Sequence, residues 1–191
     1  MENNLKKLWI DTETTGLIPG THGIIQLGML VDIGGRIVDK ASFQMCPTGR
    51  VADDEALKVN GYTRGQIRGF SPYAVVYPQV VSFLTKYVDK YSPEDKFIAC
   101  GQNVRFDVDM MLDFFQACGD QYFFSLVKSG AYIDTLYIMT FLQDLGKIPL
   151  LASRKLEMMG KHFGINTDGA HDALFDVALA REIYLKMRGM L

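Results

Sequence analysis

The sequence predicts an α/β fold: one five-stranded mixed sheet flanked by helices. Three observations carry this. Two long apolar strand patterns near the N-terminus are joined by a Gly34-Gly35 turn. Short apolar runs then alternate with segments of helical period. Three antiparallel strands first and alternating helices and strands afterwards describe one mixed sheet covered by helices.

The elements follow in order. Residues 1–4 are a short polar tail. Residues 5–11 read as a strand, with Leu8 and Ile10 on one face and Trp9 and Asp11 on the other. Residues 24–33 form a second strand and 36–45 a third, joined as a hairpin. A short helix fits 53–59. Ser71-Pro72 is a helix start, with serine as cap and proline at the first helical position, and that helix runs to about residue 91. Residues 96–101 form the fourth strand. Asn103 caps a helix over 104–118, ended by Gly119. Residues 132–134 are a short fifth strand, followed by helices over 135–145, 155–163 and from about 172 to 187.

The chain has 191 residues, a size for one domain, 1–191. Hydrophobic residues make up 48% and charged residues 22%, which excludes disordered and collagen-like classes. No apolar run approaches the ~18 residues of a membrane span, and the N-terminus lacks a signal-peptide pattern. No membrane association is therefore expected. The three cysteines form no CxxC pair, which argues against a disulfide framework or a zinc site and for a cytoplasmic setting. The net charge is −2. A protein that wraps duplex DNA is usually more basic. An enzyme that grips a few nucleotides and takes positive charge from bound metal remains compatible.

Three segments carry chemistry. In Asp11-Thr12-Glu13-Thr14-Thr15-Gly16, Asp11 and Glu13 are two apart and share a strand face. Neighbouring carboxylates repel unless a cation lies between them, and hard oxygen ligands suit Mg²⁺ or Mn²⁺. The alternative is a polar turn after a strand. In Asn103-Val104-Arg105-Phe106-Asp107, Asp107 lies in the first helical turn. It is either a surface acid complementing the helix dipole or a third metal ligand. Asp109 and Asp113 read as solvated. In His171-Asp172-Ala173-Leu174-Phe175-Asp176, His171 and Asp176 would diverge by about 140° on one helix. They converge only if His171 lies in the preceding loop. A histidine there suits proton transfer near neutrality; the alternative is a surface histidine. His22 reads as a loop residue and His162 as a helix-surface residue. Four acids and a base fit two-metal phosphodiester hydrolysis, with ions about 3.5–4 Å apart.

DTETTG, NVRFD and HDALFD, in this order and at these separations, resemble the DEDDh 3′→5′ exonucleases. That family includes the proofreading epsilon subunit of bacterial DNA polymerase III. The resemblance covers about residues 5–187 and implies a ribonuclease H-like fold. It implies that Asp11, Glu13, Asp107 and Asp176 hold two Mg²⁺ or Mn²⁺ ions and that His171 takes a proton from the attacking water. Thr14, Gly16 and Leu17 match positions that contact the terminal nucleotide, and Asn103 and Phe106 match positions that shape the same pocket. The implied product is a nucleoside 5′-monophosphate cut from a single-stranded 3′ end, with DNA favoured over RNA. Replication or repair proteins are the implied partners. Gln26 stands where the family often has Glu, and Asn60 where it often has His. The chain ends soon after its last helix, which favours a stand-alone nuclease, or one held by another surface, over a direct epsilon equivalent.

Other readings stay open at this stage. An exoribonuclease differs in how it treats the 2′-OH. A non-catalytic nucleic-acid- or polymerase-associated module usually loses a ligand, whereas all five positions are filled here. A metal-dependent phosphatase or nucleotidase would act on mononucleotides. Arg50, Lys58, Arg64 and Arg68 could guide a phosphate backbone or be simply solvated. Tyr122-Phe123-Phe124 could stack bases or belong to the core.

Overall fold

The computed structural model describes residues 5–169 and 172–191. The hydrophobic alternation near the N-terminus becomes a five-stranded sheet in the order β3-β2-β1-β4-β5. Its strands are β1 (Lys6–Thr14), β2 (Ile24–Ile33), β3 (Arg36–Gln44), β4 (Phe97–Gly101) and β5 (Val127–Asp134). β1 and β3 each run antiparallel to β2, while β1, β4 and β5 are mutually parallel. The helices are α1 (Asp54–Asn60), α2 (Arg64–Arg68), α3 (Tyr73–Thr85), α4 (Val104–Ala117), α5 (Thr135–Asp144), α6 (Leu156–His162) and α7 (Ala173–Arg188).

Alternate residues of β1 serve opposite layers. Leu8 and Ile10 join the larger core, which includes Val76, Val80 and Phe83 of α3 and Val104, Val108 and Met111 of α4. Trp9 joins Leu30, Cys100, Val177 and Ala180 on the α7 side. Helices α5 and α6 pack outside α7 around Met139, Leu142, Met159 and Ile183. Gly28 lets α7 approach: a Cβ there would lie 2.3 Å from the Ala173 carbonyl oxygen. A charged clamp holds the far side of this layer. Arg181 Nε donates to Asp32 Oδ2 at 2.8 Å, and its other arm reaches the Gly35 carbonyl. Lys7 stands 3.7 Å from the same buried carboxylate.

The sheet and most helices agree with the sequence expectations; several boundaries do not. β1 continues to Thr14, so the DTET segment lies within the strand rather than after it. α3 begins one residue later than expected, with Pro72 as the extended cap residue, and it stops at Thr85. Beyond it the Tyr87 N–H bonds the Leu84 carbonyl at 3.1 Å in a tighter turn, and the Lys6 ammonium takes the Tyr87 carbonyl at 2.6 Å. β5 starts at Val127, five residues earlier than expected, because a bulge around Gly130 (φ 70°) interrupts its pairing and hides its period. α2 was not expected; a reciprocal capping box between Thr63 and Gln66 starts it. Asn103 precedes α4 in the left-handed region (φ 55°, ψ 36°) without a side-chain cap bond. The Asp134 carboxylate replaces it, accepting the N–H groups of Asn103 (3.0 Å) and Val104 (3.1 Å) while also capping α5 through Leu136. Phe123 is buried and Phe124 packs against the core, whereas Tyr122 is exposed. Among the described residues, no helix is long and apolar enough to cross a membrane.

Candidate active site

β1 runs between the α4 and α7 layers, and its end carries the acidic motif. Asp11 and Glu13 point to the α7 side, where Asp176 rises from that helix's first turn. Carboxylate oxygens of these three residues all lie within 4.8 Å of one another. Thr12 points to the other side, and its hydroxyl donates to Asp107 Oδ1 at 2.7 Å. Asp107 sits in the first turn of α4 and is buried. The surface-acid alternative for Asp107 therefore falls.

The charges do not coexist comfortably. Burial pushes the Asp11 carboxyl well above the ordinary range, and Asp107, Asp176, Glu13 and Asp172 push it further. Glu13 is raised to about 7, first by burial and then by Asp176 and Asp172. Asp107 is raised by burial against the opposing bond from Thr12. Such a set is stable as anions only with a cation among them. The donors are all hard oxygens, so the residues fit Mg²⁺ or Mn²⁺.

Beside the carboxylates lies a cavity of about 380 Å³. Glu13, Thr14, Gly16 and Leu17 form one wall, Ala56, Val59 and Asn60 of α1 another, and Phe106 closes it. Thr14 is buried, and its hydroxyl donates to the Gly16 carbonyl at 2.8 Å. Leu17 (77% exposed) and Val59 (61% exposed) present apolar side chains at the opening. Of the expected nucleotide contacts, Thr14, Gly16, Leu17 and Phe106 line this cavity. Asn103 does not; it is exposed and its contribution is the backbone turn into α4. His171 lies outside the described residues.

Several residues that shape the site carry no local sequence signal. His22 was expected merely in a loop, yet it is 4% exposed. Its Nδ1 accepts the Ile18 N–H at 3.1 Å, and its Nε2 meets Asp53 at 3.1 Å. The ring lies against Gly16, where a Cβ would come within 2.3 Å of it. This contact requires glycine and fixes the loop carrying Leu17. Asn60 donates to the Thr14 carbonyl at 3.0 Å, tying α1 to β1. Gln26 pairs across the sheet with Glu13. Its amide donates to Asp172 at 2.9 Å, and its carbonyl oxygen accepts from the Tyr62 hydroxyl at 3.1 Å and the Ala173 N–H at 3.4 Å. Thus the two departures from the family pattern are hydrogen-bonding braces around the pocket. Asp113 is not solvated as expected: it pairs with Arg50 at 2.9 Å. Asp109 makes a surface pair with Arg105.

The sequence pattern of the Exonuclease family matches residues 8–184, which is most of the chain. The chain belongs to the exonuclease family. A relative is the PolC-type DNA polymerase III of Thermotoga maritima, 25% identical over 182 residues, covering 95% of this chain and 12% of that one. Among solved structures, Escherichia coli exonuclease I in complex with a dT13 oligonucleotide superposes with a TM-score of 0.78 at 22% identity. That match covers 96% of this chain and 40% of exonuclease I. The zinc-bound exonuclease I–single-stranded DNA complex gives 0.76 at 20% identity, over 97% and 41%. The exonuclease fold here, a five-stranded mixed sheet flanked by helices, is ribonuclease H-like, as expected. The chain spans about an eighth of that polymerase and two fifths of exonuclease I.

Proposed function

We propose that this exonuclease-family chain is a DEDDh-type, metal-dependent 3′→5′ exonuclease that removes nucleoside 5′-monophosphates from single-stranded DNA. The observation that carries the reading is the acidic cluster of Asp11, Glu13 and Asp176, with Asp107 buried nearby, next to a cavity of about 380 Å³ that Glu13 helps to line. Asp11, Glu13, Asp107 and Asp176 would hold two Mg²⁺ or Mn²⁺ ions, which supply Lewis acidity for phosphodiester hydrolysis.

The remaining work falls to the chain. Leu17, Val59 and Phe106 offer apolar faces to the terminal base and sugar. Asn60 and Thr14 hold the cavity walls at a fixed separation, so the terminal nucleotide is oriented before reaction. Thr12 aims the Asp107 carboxylate. His171 takes a proton as a water oxygen bonds to phosphorus; the bond to the 3′ oxygen of the preceding nucleotide breaks, and that oxygen is released as a hydroxyl after protonation. Gln26 braces Asp172 and Ala173, the residues that follow the histidine. The single-stranded oligonucleotides held by exonuclease I support the choice of DNA, and the polymerase relative supports a replication or repair setting.

The test is a gel assay on matched 5′-labelled single-stranded DNA and RNA with Mg²⁺, Mn²⁺ or EDTA. The expected result is a metal-dependent ladder shortening from the 3′ end, faster on DNA, and slowed by ~10³-fold or more in Asp11→Asn. No shortening of either strand with metal present overturns the reading. Faster shortening of RNA overturns the choice of DNA.

A further inference from the structure

A second cavity, of about 310 Å³, lies behind the wall of the first. Thr14 and Asp53 face the nucleotide cavity, and their neighbours Thr15 and Ala52 face this one. The two segments are joined by the Asp53 N–H donating to the Thr15 carbonyl at 2.8 Å. Arg50, Arg64 and Arg68 line the second cavity, and among the described residues no carboxylate does. These are three of the eight arginines in a chain of net charge −2. Arg64 and Arg68 sit one turn apart on α2.

Two of the three guanidiniums are held in place. Arg50 reaches the Gly20 carbonyl and Asp113, and Arg64 reaches Asp54 and, at 2.6 Å, the Ala52 carbonyl. Asp54 and Asp113 stand outside the cavity lining. A guanidinium has five N–H donors, so each keeps donors for a further acceptor. Arg68 makes no ion pair among the described residues. Oriented guanidiniums around a concavity of this size match the oxygens of a phosphate group.

We infer that this arginine-lined cavity binds a phosphodiester of the nucleic-acid strand, away from the hydrolysed bond. This rests on the proposed exonuclease reading. The strand is favoured because this cavity shares a wall with the nucleotide cavity, and because two divalent ions would only balance the four carboxylates of Asp11, Glu13, Asp107 and Asp176, leaving the catalytic end no surplus positive charge to hold a polyanion. Arg64 and Arg68 are binding residues here, not catalytic ones.

The experiment compares the parent chain with Arg64→Gln/Arg68→Gln and with Arg68→Gln alone, which breaks no ion pair among the described residues. Four readouts are taken: hydrolysis of a 5′-labelled 12-nucleotide single-stranded DNA, its inhibition by thymidine 5′-monophosphate, hydrolysis of the p-nitrophenyl ester of thymidine 5′-monophosphate, and the salt dependence of oligonucleotide binding by fluorescence anisotropy in EDTA. The expected result is a KM for the 12-mer raised about 5-fold or more in the double variant, with turnover of the small ester retained. The slope of log Kd against log salt falls by about 0.7 for each phosphate that the variant no longer neutralises. Unchanged KM and salt slope in the double variant overturn the inference. Oligonucleotide binding intact, but weaker inhibition by thymidine 5′-monophosphate, assigns the cavity to the free mononucleotide and overturns the strand assignment. If the parent hydrolyses neither substrate, the exonuclease reading fails, while the anisotropy arm still decides the fate of the cavity.

Discussion

Replacing Glu13 by glutamine tests the electrostatics of the site directly. The Glu13 carboxyl is raised from 4.5 to about 7 by burial and by its acidic neighbours. The folded chain therefore holds this proton more tightly than the unfolded chain. The resulting stability is complete below about pH 4.5 and is lost as pH rises through about 7. At about 1.36 kcal/mol per pH unit, that interval corresponds to ~3 kcal/mol. Screening at a carboxyl that is not fully buried brings it to about 2 kcal/mol. Glutamine keeps the shape and removes the charge. Thermal unfolding in EDTA is the assay, at pH 5, 6, 7 and 8. At pH 5 parent and variant should melt within about 1–2 °C, because Glu13 is protonated. At pH 8 the variant should melt about 4–8 °C higher, since 1 kcal/mol moves a chain of this size by roughly 2–4 °C. Added Mg²⁺ or Mn²⁺ should narrow the gap by stabilising the parent through binding. A variant that tracks the parent across the whole range without metal would show that the cluster is not repulsive, and the argument for a cation there would fail.

Two further outcomes follow from interactions away from the carboxylates. Arg181→Met leaves the buried Asp32 with Lys7 at 3.7 Å and the Gly35 N–H at 2.9 Å; urea unfolding should show a loss of about 3 kcal/mol, and Asp32→Asn in the same chain should recover part of it. Tyr62→Phe removes one hydrogen bond to Gln26, worth about 1 kcal/mol, and an exposed one from Gln44; melting should fall by about 2–4 °C and kcat on single-stranded DNA about 5-fold, and an unaltered kcat would show that Gln26 positions Asp172 without this brace.

The parts of the fold legible in the sequence are those set by local period. Leu8, Trp9, Ile10 and Asp11 alternate as read, and the same period places Asp11 and Glu13 on one side. The Ser71-Pro72 signal marks the start of α3 to within one residue, because proline admits few conformations. Long-range partners leave no such trace. His22 and Asp53 meet across 31 positions, and Arg50 and Asp113 across 63. Asp113 therefore reads as a solvated helix acid until α4 is laid against the loop carrying Arg50. The cap of α4 shows the same limit. Asn103 has the composition of a cap, but the carboxylate that satisfies the helix comes from Asp134, at the end of the neighbouring strand. β5 is obscured for a different reason: the bulge at Gly130 breaks the alternation by which a strand is recognised.

The DTET segment shows how one strand can build a site from two layers. A strand turns successive side chains to opposite faces. At the end of β1, Asp11 and Glu13 therefore meet α7 and its Asp176, while Thr12 meets α4 and its Asp107. The strand between the two helices sets the relative position of their carboxylates. The threonines in the motif thus have distinct tasks. Thr12 fixes the acid of one layer, and Thr14 fixes the turn at Gly16 that lines the cavity beside the carboxylates. A one-residue slip in the β1–β2 register would exchange the two faces, leaving Asp11 and Glu13 against the hydrophobic layer of α4. Gly28 opposes that slip, because it lies opposite Asp11 and is the position where the start of α7 touches the sheet. The same close approach that packs the last helix therefore also holds Asp176 at the distance the acidic cluster requires.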